Sequence, residues 1–206
     1  MNLKNLIIVF LILIFIYVFY VFFYDGTVEY LSQVDGRYYR IRRGSDMQTR
    51  ADNLALIRLK LNKIVDALRK DPAENTKVNV KRLINNWSDD IGIKEIGLME
   101  NDAAYVIDKH HMSFCLRTSP SGGNLESLNL LTYVAIHEQA HVMSIEIGHG
   151  NEFNANFKYL LNYAKTLKYT NPLTGQEEDM YVPIEPATNA DDSNFCGVHI
   201  SANAVR

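Results

Sequence analysis

Three histidines and one glutamate stand at a spacing that suits a metal ion. The segment His137-Glu138-x-x-His141 is followed by His149. On a helix, His137 and His141 lie one turn apart on the same face, and Glu138 lies beside them without binding the metal. Imidazole is a preferred zinc ligand, and a catalytic zinc usually takes three protein ligands and leaves a fourth position open. The pattern predicts a Zn²⁺ site with His137 and His141 as ligands and Glu138 as general base on the water that zinc activates.

The third ligand has two candidates. His149 directly follows Gly148, where the helical periodicity ends, and a reversal of the chain there would bring its ring back over the helix. Glu152 lies one turn into the next amphipathic segment, and a glutamate in such a position completes the site of other zinc hydrolases. We expect His149 to be the third ligand and keep Glu152 as the alternative.

Hydrophobic periodicity predicts the elements that position these residues. Apolar residues recur every three to four positions from Leu125 to Ile145, so we expect a helix that carries the motif in its middle and ends at Gly148. The other predicted elements are a hairpin over Val28 to Ile41 turning at Asp35-Gly36, a helix begun by a capping box at Ser45-x-x-Gln48 and ended by Pro72, a short helix over Val80 to Trp87, strands over Ile91 to Leu98 and Tyr105 to Arg117, a helix over Phe153 to Leu167, and a long loop over Asn171 to Asn194. This is an α+β domain in which a few-stranded sheet supports the zinc-binding helix.

The N-terminus predicts a membrane anchor. Leu6 to Tyr24 is an unbroken apolar run, and at about 1.5 Å per residue it approaches the roughly 30 Å of a bilayer's hydrocarbon core. A cleavable signal peptide is the rival interpretation, but the run is longer than its usual apolar region and ends without small residues. We therefore expect residues 1–25 to be a single-pass transmembrane helix in contact with the lipid bilayer, and residues 26–206 to form one domain. The side of the membrane that carries this domain stays open.

Composition excludes some classes of protein. The net charge is −3 with 22% charged residues, so we expect no nucleic-acid partner. Two cysteines, Cys115 and Cys196, are too few for the disulfide framework of a small secreted fold. They are either two buried thiols, because free cysteine is among the most buried residue types, or one disulfide that ties the C-terminal strand to Cys115.

The motif resembles a known family. His137-Glu-x-x-His141 with the later His149-Gly150-x-x-Phe153 is similar to the small zinc metallopeptidases of the WLM and SprT-like type, where the third histidine precedes the second helix. Residues 34–39, 115–117 and 196–200 also resemble predicted metallopeptidases of large double-stranded DNA viruses, so that the similarity covers about residues 28 to 204. The resemblance implies a small zincin-like domain that hydrolyses peptide bonds. Gln139 departs from the pattern, since leucine is commoner there, and we expect it to face solvent or to support a ligand.

Catalysis needs further groups that the sequence indicates less directly. Zinc usually shares the developing oxyanion with a second donor, and Arg117, Tyr181 and His199 are the candidates, because they lie in loops or at strand ends. The segment from Ser113 to Arg117 could be an edge strand to which an extended peptide or protein substrate adds.

Two functions are therefore expected from the sequence. The first is a membrane-anchored zinc metallopeptidase. The second is a zinc-binding structural membrane protein with little or no catalytic activity, of a virion or a host membrane. An intact Glu138 favours the first without excluding the second.

Overall fold

The computed structural model describes residues 3–23, 26–98, 100, 104–119, 122–184, 194–196 and 198–199. This part of the chain is mixed α/β. Its helices are α1 (Leu3–Phe23), α2 (Met47–Lys70), α3 (Val78–Asn86), α4 (Leu128–Met143) and α5 (Asn151–Ala164). Its strands are β1 (Thr27–Leu31), β2 (Tyr38–Arg42), β3 (Gly92–Glu95), β4 (Ala104–Ile107), β5 (His111–Phe114), β6 (Arg117–Ser119), β7 (Gly122–Leu125), β8 (Lys168–Thr170), β9 (Glu177–Asp179), β10 (Asn194–Phe195) and β11 (Val198–His199).

Five strands form one mixed sheet in the order β1-β2-β3-β5-β4. β1 and β2 are the antiparallel hairpin that the sequence predicts, with Gly36 in a left-handed conformation (φ 68°) at the turn. β2 pairs in parallel with β3, and β3 in parallel with β5. Since parallel neighbours need a long crossover, α2 and α3 fill the connection from β2 to β3.

The strand predicted over Tyr105 to Arg117 is wrong in its extent. The chain turns at Asp108 and Lys109, which both take positive φ angles (48° and 61°), and thereby forms the antiparallel hairpin of β4 and β5. β5 lies between β3 and β4, so the segment from Ser113 to Arg117 is not the predicted edge strand. Among the described strands, β4 forms the edge of the sheet on this side, and an edge strand can pair with another chain.

Helix α2 packs against both the sheet and α4. Leu54, Ile57 and Leu61 are fully buried on it, and its contacts reach β1, β2 and β3 on one side and α4 on another. The helix ends at Lys70, before Pro72, as predicted. Its start differs, because Asp46 in a left-handed conformation is the N-cap and makes no side-chain capping bond. The predicted capping box at Ser45 does not form.

A buried carboxylate fastens α2 to the sheet. Glu95, at the end of β3, is fully buried and accepts hydrogen bonds from the backbone N–H of Arg42 (2.7 Å) and from the guanidinium of Arg50 (2.6 Å). Arg50 also donates to the carbonyl of Arg42 (2.8 Å). Burial of this charge is tolerated because cations and backbone donors compensate it, and the two layers are thereby held in register.

Helix α4 is shorter than the periodicity predicts. It begins after Ser127, whose side chain accepts from the N–H of Leu130 (3.2 Å), and it ends at Met143. Ser144 leaves the helical conformation, and its hydroxyl donates to the carbonyl of Ala140 (2.8 Å), so it caps the C-terminus well before Gly148. The motif therefore occupies the last two turns of the helix and not its middle.

The N-terminal segment corrects the prediction of a membrane anchor. Among the residues that the structure describes, no helix combines the length and the apolar character needed to cross a bilayer. The predictions of a transmembrane helix over residues 1–25, and of single-pass membrane localisation with it, are wrong.

The C-terminal segment is tied to the sheet by a disulfide. Cys115, directly after β5, is bonded to Cys196 in the turn between β10 and β11. Of the two readings of the cysteines, the structure thus supports the disulfide and not a pair of free thiols. The loop predicted over Asn171 to Asn194 is partly regular, because β9 lies within it and pairs with β8, which ends at Thr170 just before it. Residues 185–193 lie outside the described part of the chain.

Candidate metal centre

The three predicted histidines converge on one point. His137 and His141 project from the last two turns of α4, and His149 comes from the loop between α4 and α5. One ring nitrogen of each lies within 4.8 Å of the others. Among the histidine, cysteine, aspartate and glutamate side chains that the structure describes, these three histidines are the group whose geometry could hold a metal ion.

The spacing of the imidazoles fits a zinc ion. Nε2 of His137 and Nε2 of His149 are 3.0 Å apart, and the three ring centroids are separated by 4.9 to 5.2 Å. Two nitrogens that each lie about 2.0 to 2.1 Å from a tetrahedral ion are about 3.3 Å apart. A three-histidine donor set matches the ligand preference of zinc and leaves one tetrahedral position open.

His137 and His141 are held in the neutral form that metal binding requires. Burial, and then the neighbouring rings of His141 and His149, lower the pKa of His137 to about 3. Burial, followed by the charges of His149 and Lys109, lowers the pKa of His141 to about 4. A neutral imidazole keeps a lone pair for a metal, so ligation at neutral pH does not require these two rings to lose a proton.

Phe153, in the first turn of α5, packs against all three imidazoles. Its ring centroid lies 4.8 Å from that of His137, 4.3 Å from His141 and 4.7 Å from His149, and its side chain is 1% exposed. Phe157, one turn further on, contacts His137 at 5.1 Å. These rings exclude water from one side of the cluster and restrict the orientation of the imidazoles. The sequence indicated Phe153 only as part of the resemblance, without this role.

Glu138 lies beside the cluster in a dry environment. Glu138 is 4% exposed, and burial raises the pKa of its carboxyl group to about 8. It lines the same cleft as the three histidines. A carboxyl group with a raised pKa at the edge of an open cleft suits proton transfer.

The cleft has a volume of about 520 Å³ and opens above the histidines. Its walls are the edge strand β4, the turn after it, and the loop between α4 and α5. Besides the histidines and Glu138, the lining residues are Ala104, Tyr105, Val106, Asp108, Lys109, Ile145, Glu146, Ile147 and Gly148. An extended chain in this cleft would therefore run beside β4.

Lys109 is a cleft residue that the sequence did not indicate. It stands at the tip of the β4–β5 turn, and its ammonium group donates to the carbonyl of Ser144 (2.8 Å) at the C-terminal end of α4. Its charge is also one of the causes that lower the pKa of His141, which places the cation close to the cluster. The position of Lys109 depends on the turn between β4 and β5. No local signal in the sequence revealed that these two strands pair.

Two of the predicted oxyanion donors, Arg117 and Tyr181, lie away from the cleft. Arg117 pairs with Asp46 (3.0 Å) and donates to the carbonyl of Gly123 (2.7 Å). Tyr181 is 2% exposed, packs against Tyr133 and accepts from the N–H of Ile184. Neither is among the described residues that line the cleft. The backbone of His199 pairs with Asn194 in the β10–β11 hairpin, and its side chain lies outside what the structure describes.

Glu152, the alternative third ligand, points away from the cluster. Its carboxylate pairs with Arg82 (2.7 Å) and accepts from the backbone N–H groups of Ile145 (3.0 Å) and Glu146 (3.2 Å). Burial alone would raise the pKa of Glu152, but these two N–H groups and the Arg82 guanidinium together lower it. Both of its oxygens are used in these contacts, so the structure favours His149 as the third ligand.

Gln139 was expected either to face solvent or to support a ligand, and the first alternative is wrong. It is fully buried, and its amide donates to the carbonyl of Leu61 on α2 (3.2 Å). The position one residue after Glu138 therefore faces the interior, where α4 packs on α2.

Comparisons with known proteins give viral relatives without an assigned function. The chain is 38% identical over 74 residues to an uncharacterized protein of Invertebrate iridescent virus 6, a match that covers 35% of this chain and 42% of that protein. It is 24% identical over 181 residues to an uncharacterized protein of Acanthamoeba polyphaga mimivirus, covering 85% and 83% of the two chains. A protein of Invertebrate iridescent virus 3 is 32% identical over 75 residues, or 36% of this chain and 46% of that one. The matches thus span less than half the length of the iridescent-virus proteins. No family model and no solved structure matches.

Proposed function

We propose that the chain is a zinc-dependent metallopeptidase in which His137, His141 and His149 bind Zn²⁺ and Glu138 is the general base. The observation that carries this proposal is the convergence of three imidazoles beside a buried carboxyl group at the base of an open cleft. The resemblance to WLM and SprT-like metallopeptidases, with a small zincin-like fold, is part of the same proposal.

The residues of the cleft divide the chemistry of hydrolysis among them. A bound zinc ion supplies a Lewis acid that activates water and polarises a carbonyl oxygen. Glu138 accepts a proton from the attacking water and returns it to the leaving amine. Lys109 is proposed in place of Arg117 and Tyr181 as the donor to the developing negative oxygen, since it lines the cleft and its charge acts on His141.

The substrate is expected to be an extended segment of a peptide or protein. β4 is the edge strand of the sheet and lines the cleft beside the histidines. A substrate strand that pairs with β4 gains backbone hydrogen bonds whatever its side chains are, so binding requires little sequence selectivity. The pairing would also carry the peptide carbonyls past the metal centre.

The first experiment measures metal content. The full-length chain, purified without added metal, should contain about one zinc per molecule, measured by inductively coupled plasma mass spectrometry. His137→Ala with His141→Ala should abolish binding, while His111→Ala, which removes an exposed histidine on β5, should not. Stoichiometric zinc in the double variant would contradict the site.

The second experiment separates binding from turnover. Glu138→Gln preserves size and all three imidazoles but removes the base, so zinc should stay bound while hydrolysis of an unfolded protein falls by about 100-fold or more. Glu126→Gln is the matched control, because burial also raises the pKa of this half-buried carboxyl group and it does not line the cleft. Full zinc occupancy with no hydrolysis of any unfolded protein would favour the structural zinc-binding protein instead.

A further inference from the structure

His149 differs from the other two histidines of the cluster, because it lies in a loop and not on a helix. The backbone of α4 presets the positions of His137 and His141, whereas the position of the His149 ring depends on the conformation of the loop of residues 144–150. We propose that Glu152, together with Arg82, is a positioning residue that holds this loop in the ligating conformation. The inference rests on the proposed metal site and gives a role to the side chain that the sequence offered as a ligand.

The carboxylate of Glu152 fixes the first half of the loop. One of its oxygens, Oε2, accepts from two successive backbone N–H groups, those of Ile145 at 3.0 Å and Glu146 at 3.2 Å. The other, Oε1, pairs with Nη1 of Arg82 at 2.7 Å. Three charge-assisted contacts on one half-buried carboxylate are stronger than the same number of neutral bonds.

Arg82 connects this carboxylate to the helix that carries the other two ligands. The same Nη1 atom donates to the carbonyl of Met143 (2.7 Å), the last residue of α4. A cation at the C-terminus of α4 and an anion in the first turn of α5 both lie where the helix dipoles favour them. The ion pair therefore joins the end of one ligand-bearing helix, the loop and the start of the next helix.

Other bonds hold the two ends of the loop. The amide of Asn156 donates to the hydroxyl of Ser144 (2.9 Å), at the start. The amide of Asn154 donates to the carbonyl of His149 itself (3.0 Å). Between them Gly148 takes a positive φ angle of 94°, which permits the reversal. The first half of the loop thus depends on Glu152, and its release would loosen the backbone that leads through Gly148 into His149.

The consequence is a third ligand that is ordered before the metal arrives. Without Glu152 and Arg82, metal binding would have to order the loop, and that loss of conformational freedom would lower the affinity for the metal. Supporting contacts behind metal ligands typically change affinity by about 10- to 100-fold when they are removed. If Glu152 is a positioning residue, its substitution should lower metal affinity only when His149 is present as a ligand.

A double-mutant cycle tests that prediction on the full-length chain. Zinc affinity is measured by competition with a chelator for wild type, Glu152→Ala, His149→Ala and the double variant. We expect Glu152→Ala to weaken binding about 10-fold in the wild-type background and to have almost no effect when His149 is absent. Arg82→Met should reproduce part of the loss, and Glu152→Gln, which keeps an acceptor for the N–H groups, should lose less than Glu152→Ala.

A spectroscopic measurement accompanies the affinities. With cobalt(II) in place of zinc, the visible absorption reports the number and geometry of the ligands. The spectrum of Glu152→Ala should shift toward that of His149→Ala. Glu74→Ala is the matched control, because Glu74 has a similar side-chain exposure, pairs with Lys77 and bonds to Tyr159 of α5 away from the cleft. Its affinity and spectrum should match the wild type even if its stability falls.

The outcomes distinguish this inference from the proposed function. A wild type that binds no metal overturns the metal site itself. Equal losses on Glu152→Ala with and without His149 would show that Glu152 acts on general stability and would overturn its positioning role. If Glu152→Ala removes a ligand from the cobalt spectrum while His149→Ala does not, Glu152 is the third ligand and the inference fails. If Glu152→Ala does not fold, Glu152→Gln and Arg82→Met decide by the same cycle.

Discussion

Glu138 and Glu152 are carboxylates on either side of His149 in the sequence, and their surroundings give them different properties. Burial raises the pKa of Glu138 to about 8, and a cation held by the neighbouring imidazoles would favour its ionised form, which accepts a proton. Glu152 is surrounded by N–H groups and Arg82, which keep it ionised. Residue type alone did not separate a base from a loop anchor, because the separation comes from the dielectric and the hydrogen-bond donors around each group.

Lys109 provides a test at the scale of one residue. Lys109→Met should lower kcat by about 100-fold while zinc content stays unchanged, because the cation acts on charge that develops only in the transition state. Lys109→Arg should retain part of the activity. KM and kcat are measured on one peptide substrate, with Lys168→Met, at an exposed lysine paired with Glu177, as the control.

A different result would assign Lys109 to the end of α4. Since its ammonium group also bonds to the carbonyl of Ser144, a structural role would lower thermal stability and zinc affinity together. Loss of zinc in proportion to the loss of activity would contradict the catalytic role.

At the scale of elements, α4 is covered on most of its surface. α2, α3 and α5 pack around it, and it also contacts β4 and β5. Ile136, Gln139 and Ala140 are fully buried or nearly so, while His141 is half-buried at the cleft. A helix surrounded in this way keeps its position when the loop or the substrate strand moves, which suits the carrier of two metal ligands.

Lys60 connects α2 to the segment after β9 and gives a pH-dependent prediction. It is 4% exposed, its ammonium group donates to the carbonyl of Met180 (2.8 Å) and lies over the ring of Tyr169, and burial lowers its pKa to about 8. The unfolded chain, with the ordinary value of 10.5, binds more protons between pH 8 and pH 10.5. Stability therefore rises with pH in this window.

The measurement compares wild type with Lys60→Met by urea unfolding across that window. The free energy of unfolding of the wild type should rise relative to the variant, because groups common to both proteins cancel in the difference. A difference that stays constant from pH 8 to pH 10.5 would show that the pKa of Lys60 is not lowered.

At the scale of the whole molecule, the disulfide joins parts of the chain that are far apart in sequence. Cys115 and Cys196 are 81 positions apart, so the bond closes a long loop that includes α4, α5 and the metal centre. In the chain-entropy model, closing a loop of this length lowers the conformational entropy of the unfolded chain and thereby stabilises the folded state by about 4 kcal/mol. We expect Cys196→Ser to lower the free energy of unfolding by up to this amount.

Reductant serves as the second arm of that experiment. A phosphine reductant should destabilise the wild type and leave Cys196→Ser unchanged in urea unfolding. If the wild type unfolds at the same urea concentration with and without reductant, and free thiols are titrated in the folded protein, the bond does not form in solution.

Local patterns in the sequence determined the features that depend on near neighbours. The spacing of His137 and His141 required only that the segment be helical, since helical geometry brings positions four apart to one face. The hairpin turn at Asp35-Gly36 and the end of α2 before Pro72 are local in the same sense. Long apolar periodicity misplaced the end of α4, because the capping by Ser144 is a hydrogen bond that periodicity does not encode.

The tertiary structure alone decided which distant residues meet at the cleft. β4 became the edge strand and Lys109 reached the end of α4 because of pairing between strands and of packing between elements. Arg82 meets Glu152 across 70 positions in the sequence. The sequence by itself determined the histidines and their helical spacing. The placement of Lys109, the edge position of β4 and the contacts of Glu152 and Arg82 around the loop of His149 depended on long-range packing, whose free energy is spread over many contacts and leaves no local pattern.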